Sequence, residues 1–267
     1  MTATVHIMKT IPTFQFETLQ NIPGFRHAVT TRAGGESEDN YASLNLGYHV
    51  DDNAATVTRN RRALSTALGY DATSLVAAQQ THGAHAEIVT AAMRGRGALD
   101  WESALPATDA LIVGETNIPA LILVADCAPL VLVDETHRVF ALVHAGWRGA
   151  VARIASQTVR KMEGAFGSNP ADIRVGIGPH LCAACFEIGD EVEHAAMEIA
   201  PQSIVGKYEK PHLDLRTLLR ADVENSGVLP ARIESMNRCP RCEVETFFSH
   251  RGQGGVAGRF GLVALWD

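Results

Sequence analysis

Apolar residues in the middle of the chain fall into four short runs, DALIVG (109–114), ALILVAD (120–126), LVLVD (130–134) and VFALVHAG (139–146), separated by turn residues. Such runs predict central strands buried on both faces, because a strand with one wet face alternates apolar and polar positions. Upstream, GFRHAVTTRAGG predicts a strand entering a Gly-rich turn. Asp52-Asn53 then precedes a helix whose Val57, Leu64 and Leu68 recur at helical spacing, so that helix should lie against a sheet. Downstream, Val151, Ile154, Val159, Met162 and Phe166 mark one face of a helix that ends near Gly167 and Pro170, and DIRVGIG predicts a strand running into Pro179. Two more helices are expected at 191–199 and 213–224, and the closing GRFGLVALW reads as a strand that returns to the core.

Strand pairs of hairpin type interspersed with separated helices predict an α+β chain of mixed α/β layers rather than a regular parallel Rossmann sheet. GQGGVAG near the C-terminal end does not follow the first strand or open a long helix, so it makes a poor nucleotide-binding fingerprint. No repeat, low-complexity tract or long linker divides the sequence, and residues 1–267 are read as one domain. With 46% hydrophobic and 20% charged residues the chain has material for a sizeable core. Thirty acidic against 23 basic residues, the latter scattered, argue against nucleic acid or an anionic membrane and for a small-molecule substrate. The opening MTATVHIMKTIPTFQF lacks the apolar stretch of a secretory leader, and no run approaches the roughly 18 apolar residues of a membrane span, so a cytoplasmic protein is expected. Five cysteines, an odd number in a long chain, favour metal or redox chemistry over disulfide stapling.

Three polar residues stand at the ends of apolar runs: His82 in QQTHG, Cys127 in VADCAPL and His144 in LVHAGWRG. Their spacing matches no compact zinc finger. Taken singly, each histidine reads as a hydrogen-bonded structural residue and the cysteine as a small core filler. The two C-x-x-C pairs, Cys182/Cys185 and Cys239/Cys242, are the most conspicuous metal signal, but the gap between them is far longer than in a zinc ribbon. Neither pair opens a helix of a thioredoxin-like unit.

QQTHG, ADCAPLVLVD and HAGWRG, in this order, resemble the signature segments of the YfiH (laccase-domain) family, and TTRAGG, YASLNLG, FFSHR and GRFG extend the resemblance over nearly the whole chain. The resemblance implies a single YfiH-like domain with metal ligands at His82, Cys127 and His144, which would also be the catalytic residues. Two imidazoles and a thiolate suit Zn²⁺ and leave a fourth position open, as catalytic zinc requires, although copper also takes such donors. Asn45, Arg148, Ser249 and Arg251, in or near the matching segments, are the candidate substrate contacts. The arginines are suited to clamp phosphate, with a surface ion pair as the ordinary alternative, and Asn45 could instead close a turn. His85, His180 and His250 are read as hydrogen-bonding residues rather than a fourth ligand. CAACFEIG departs from the Gly-Pro-Cys-Cys turn of the relatives. Cys185 in this turn and Cys239 further along resemble family cysteines, while Cys182 and Cys242 are additions expected to be dispensable.

The implied activity is purine nucleoside chemistry: phosphorolysis of adenosine, inosine, guanosine or methylthioadenosine, a transferase reaction consuming phosphate, and hydrolytic deamination of adenosine, in a monomer or small homo-oligomer. A copper polyphenol oxidase is a poor fit, because eleven histidines are dispersed without one H-x-H pair. The competing enzyme class is a cysteine hydrolase acting on muramyl peptide precursors, with Cys127 as nucleophile and His144 or His82 as base. The metal reading is preferred on the expectation that Cys127 is matched with two histidines rather than with one base and an orienting acid. A non-enzymatic metal-binding module is disfavoured by the open fourth position.

Overall fold

The computed structural model describes residues 11–206 and 209–267, so the first ten residues of the stretch searched for a leader lie outside the described residues. The chain runs β1 (Thr13–Phe14), β2 (Phe25–Thr30), α1 (Ala54–Leu68), β3 (Val76–Ala77), β4 (Ala86–Val89), β5 (Ala110–Val113), β6 (Ala120–Val124), β7 (Ala128–Asp134), β8 (Val139–Ala145) and α2 (Trp147–Val151). It continues through α3 (Ile154–Phe166), β9 (Arg174–Ile177), α4 (Asp190–Met197), β10 (Ile204–Val205), β11 (His212–Leu213), α5 (Leu215–Asn225), β12 (Ile233–Ser235) and β13 (Phe260–Trp266). No helix among the described residues is long and apolar enough to cross a membrane.

The strands form two mixed sheets and a small ribbon. One sheet has the order β1-β2-β13-β6-β3, the other β12-β9-β7-β8-β5-β4, and β10 pairs with β11. Antiparallel neighbours dominate, but β3 with β6, β4 with β5 and β9 with β12 run parallel, which fits the mixed architecture expected from the sequence. The period-2 geometry of strands explains why both parities are apolar. Along β7, Leu130 and Leu132 pack under the helices while Val131 and Val133 face the other sheet. Along β8, Val139, Ala141 and Val143 take the helix side and Phe140 and Leu142 the sheet side. In the facing sheet, Ile122, Val124, Phe260, Leu262 and Trp266 close the inter-sheet core, whereas Leu121, Leu123 and Val263 turn outward onto Leu64 of α1. The result is four layers: α1, the five-stranded sheet, the six-stranded sheet, and helices α2, α3, α4 and α5.

Helix ends follow their capping residues. Asn53 Oδ1 accepts from Thr56 N at the start of α1, and Gly69, at φ 71°, ends it; Asp214 accepts from Thr217 N at the start of α5. One expected helix is divided. Between Val151 and Ile154 the backbone of Arg153 turns to φ 60°, separating a one-turn α2 from α3. The apolar spacing of Val151 with Ile154 therefore spans a break. The short strands β1, β3, β4, β10, β11 and β12 carry too little pattern to be recognised from sequence.

The inter-sheet core yields a direct expectation. Phe140 is fully buried with its ring 5.6 Å from that of Phe25. Phe140→Ala should cost about 3–5 kcal/mol in denaturant unfolding, whereas Val256→Ala, at a 46% exposed position, should stay within about 0.5 kcal/mol.

Candidate metal centre and cleft

His82, Cys127 and His144 come from both sheets. His144 lies on β8, Cys127 in the link from β6 to β7, and His82 in the loop after β3. Register explains the first two. Pairing of β7 with β8 sets Ala128 opposite Ala145, which brings Cys127 and Gly146 together one step further on. A Cβ on Gly146 would sit 2.9 Å from Cys127 Sγ and 3.2 Å from His82 Cδ2, so only glycine leaves room for the two side chains to converge there. His82 is delivered by Gln80, whose side-chain amide donates to Leu123 O at 2.7 Å and accepts from Leu123 N at 2.8 Å, fastening the loop alongside β6. The potential ligand atoms of His82, Cys127 and His144 all lie within 4.8 Å of one another, and the two imidazole rings meet edge to face at 74°.

Asp109, which the sequence reading treated only as the start of a strand, organises this group. It is fully buried and stands opposite His144 at the end of the β5–β8 ladder, where His144 N donates to Asp109 O. Asp109 Oδ1 lies 2.8 Å from His144 Nδ1 and accepts from His82 N at 2.9 Å; Oδ2 accepts from Gly83 N at 2.8 Å and Thr81 N at 3.2 Å. One carboxylate thus orients His144 so that Nε2 is the nitrogen left for the cluster, and it stabilises a loop in which His82 adopts φ 61°. Burial pushes the Asp109 carboxyl up, but the hydrogen bond and charge of His144 and the loop amides outweigh it and hold the pKa down at about 2.

The same balance acts on the pair beyond it. Burial alone would raise the Cys127 thiol, yet the charge of His144 and hydrogen bonds from His144 and His82 bring it down to about 6. Burial alone would lower His144, yet Cys127 and Asp109 raise it to about 9. In the protein without metal these groups form a thiolate–imidazolium pair.

A cleft of about 230 Å³ opens onto His82 and Cys127. Trp147, Leu181, Phe186 and Leu215 supply apolar wall, and Arg148, His250 and Arg251 supply polar groups. Arg148 stacks its guanidinium 4.3 Å over the Trp147 ring, and Arg251 Nη1 donates to Glu187 O at 3.1 Å. Two of the four expected substrate contacts therefore reach the cleft. The other two are fully buried and absent from its lining. Asn45 Nδ2 donates to Asp52 Oδ2 and Gly47 O while Oδ1 accepts from Gly47 N and Arg259 N, so the turn-closing alternative describes it. Ser249 Oγ donates to Asp126 Oδ1 at 2.6 Å, and Asp126 Oδ2 accepts from Arg251 N at 2.6 Å. Ser249 thus positions the segment carrying His250 and Arg251. Asp126, at φ 90°, went unnoticed in the sequence beside the cysteine it precedes.

Of the remaining histidines, His85 is exposed with Nε2 3.1 Å from Glu87 Oε2, and His180 is buried with Nδ1 2.8 Å from Gly178 O. Both are hydrogen-bonding residues, as expected, while His250 borders the cleft. His49, near His82 and His144, is lowered to about 4 by burial and by the charges of Arg259, Arg61 and the two site histidines.

The four remaining cysteines also converge. Despite the long sequence gap, the thiols of Cys182, Cys185, Cys239 and Cys242 lie within 4.8 Å of one another. The chain distance that argued against a joint site is closed by the fold, because β9 and β12 are parallel neighbours whose following segments emerge at the same end.

Comparisons with known proteins agree with this fold. Residues 26–267 match the family model described as multi-copper polyphenol oxidoreductase laccase. The purine nucleoside phosphorylase YlmD of Bacillus subtilis is 35% identical over 250 residues, covering 91% of this chain and 89% of that protein. An adenosine deaminase, RL5, from an unknown prokaryotic organism is 35% identical over 248 residues, covering 90% and 93%. The crystal structure of the Bacillus licheniformis protein YfiH superposes with a TM-score of 0.90 at 32% identity, covering 93% of this chain and 95% of that one. The chain belongs to the YfiH family of laccase-domain proteins.

Proposed function

We propose that this protein is a zinc-dependent purine nucleoside enzyme, catalysing phosphorolysis and adenosine deamination. The observation that carries the reading is the convergence of two imidazoles and a thiolate beside a mixed apolar and cationic cleft, with Asp109 behind His144. The donor set fits the metal: His82, Cys127 and His144 would hold it, the thiol is already driven toward thiolate, and Gly146 keeps the space between the donors clear. Bound there, Zn²⁺ supplies Lewis acidity at a fourth, open position. The relatives named purine nucleoside phosphorylase and adenosine deaminase support nucleoside chemistry.

The chain's own groups suit the substrates. Trp147, Phe186 and Leu215 offer flat and apolar surface for a purine, and Arg148 and Arg251 offer paired donors for phosphate, orienting it toward the ribose. Copper oxidase chemistry is not supported. Among the described residues the two groups able to hold a metal are His₂Cys and Cys₄, neither of them the multi-histidine cluster such oxidases use.

One observation favours the competing reading. The expectation that Cys127 lacks an orienting acid fails, because Asp109 binds His144 Nδ1 and completes a Cys127–His144–Asp109 arrangement like that of a cysteine hydrolase. The acid is equally the usual partner of a metal-bound histidine. His82, which a hydrolase would not need within reach of the thiol, tips the balance toward metal.

Three experiments follow. Chelation should abolish turnover of adenosine and inosine and added Zn²⁺ should restore it, with muramyl peptides inert in parallel assays; a metal-free enzyme that stays active and carries a substrate adduct on Cys127 by mass spectrometry would overturn the assignment. Asp109→Asn should weaken zinc affinity by roughly 10–100-fold in competition with a chromophoric chelator; unchanged affinity would remove the carboxylate from the metal site. In metal-free protein the ultraviolet thiolate signal lost in Cys127→Ser should titrate near pH 6, since His144 favours the ionised sulfur, and in His144→Ala its midpoint should move upward because burial is then less opposed.

A further inference from the structure

We infer that Cys182, Cys185, Cys239 and Cys242 form a second, structural zinc site that clasps the cleft wall. The four thiols come from two tight turns. Cys182 precedes and Cys185 ends the 3₁₀ turn Ala183–Cys185 after β9, and Cys239 and Cys242 lie in the turn region after β12. Each turn supplies a C-x-x-C pair, the spacing by which a chain presents two sulfurs to one tetrahedral ion.

The sulfur separations suit a shared metal ion. Cys185 Sγ lies 3.5 Å and Cys182 Sγ 3.9 Å from Cys242 Sγ. Zn–S bonds of about 2.3 Å in a tetrahedron place sulfurs roughly 3.8 Å apart, whereas a disulfide requires about 2.05 Å. Both of these approaches run between the two turns, and Cys182 and Cys185 also interact within their own pair, so all four thiols share one centre. The backbone is arranged for anionic sulfur as well, with Cys182 N donating to Cys239 Sγ at 3.3 Å. Arg241 lies alongside, its Nη1 donating to Cys185 O at 3.3 Å. Four protein ligands close the coordination sphere, which makes this site structural where the His82 group is open.

What it would hold is the wall of the cleft. Leu181 and Phe186, next to Cys182 and Cys185, line the cleft, and Leu181 N donates to Asp126 O at 3.0 Å. Arg251 Nη1 reaches the carbonyls of Cys185 and Glu187. The four-cysteine site therefore joins the turn after β9 to the turn after β12 directly behind residues that face the substrate. Cys182 and Cys242, expected to be dispensable, become half of its ligands.

Elemental analysis of full-length protein purified under reducing conditions with zinc supplied should give two equivalents of zinc per chain. The variant combining His82→Ala, Cys127→Ala and His144→Ala should keep one, and after exchange with Co²⁺ it should show the intense sulfur-to-metal charge transfer of a tetrathiolate site. Cys239→Ser combined with Cys242→Ser should lose that equivalent and raise hydrogen exchange across residues 179–189. If the double variant does not fold, the wild-type stoichiometry and the cobalt spectrum still decide. One equivalent in wild type and none in the variant lacking the His82 group, with the four thiols freely alkylated or joined as disulfides, would overturn the second site without touching the first.

Discussion

The buried carboxylate of Asp109 is the constraint on which the candidate site depends. An isolated charge in such a place is costly, and it is held there because five groups from two segments, the Thr81 hydroxyl among them, point hydrogen atoms at it. Each of those hydrogen bonds also does something for the site. The bond to His144 sets which imidazole nitrogen remains available, and the bonds to the 81–83 amides hold His82 in a left-handed backbone conformation that puts its ring beside Cys127. Asp126 repeats the device on the other side of the cysteine, fixing Ser249 and the amide of Arg251. Cys127 thus sits between two anchored loops, each tied by a buried acid, Asp109 sealed from solvent and Asp126 at the edge of the cleft.

This pattern separates groups that face the cleft from groups that hold its walls in place. Arg148, Arg251 and His250 are exposed at the cleft, whereas Asn45 and Ser249 are consumed by internal hydrogen bonds. Proximity in a family signature places Asn45, Arg148, Ser249 and Arg251 together in the sequence, and only burial divides them. The same acid behind His144 serves either a metal ligand or a general base, so the third donor, His82, carries the weight of choosing between the two chemistries.

Much of this architecture was legible beforehand. The four central runs became β5, β6, β7 and β8 because strands apolar at both parities need cover on both faces, and here the opposite sheet covers one face while the helix layer, or α1 in the case of β6, covers the other. The three ligand candidates were legible through their motifs. Asp109 and Asp126 were not, since an acid at the edge of an apolar run looks like an ordinary turn residue until the partner strand's register is known. The joining of Cys182 and Cys185 with Cys239 and Cys242 was hidden for a related reason: it depends on the parallel pairing of β9 with β12, and β12 is only three residues long. The break at Arg153 was masked because apolar spacing records which face is buried and not whether the backbone between is continuous.

The His82, Cys127 and His144 group draws one member from the loop after a strand of the five-stranded sheet, one from the link between the sheets and one from the six-stranded sheet. The distance between the layers is thereby built into the distance between the donors. A substitution deep in the inter-sheet packing, far from any substrate, acts on the donors like a shim between two plates. Mutant libraries confined to the cleft would vary its shape and charge while leaving that spacing alone. Drift in the core would be free to retune the spacing of the three donors with every cleft residue unchanged.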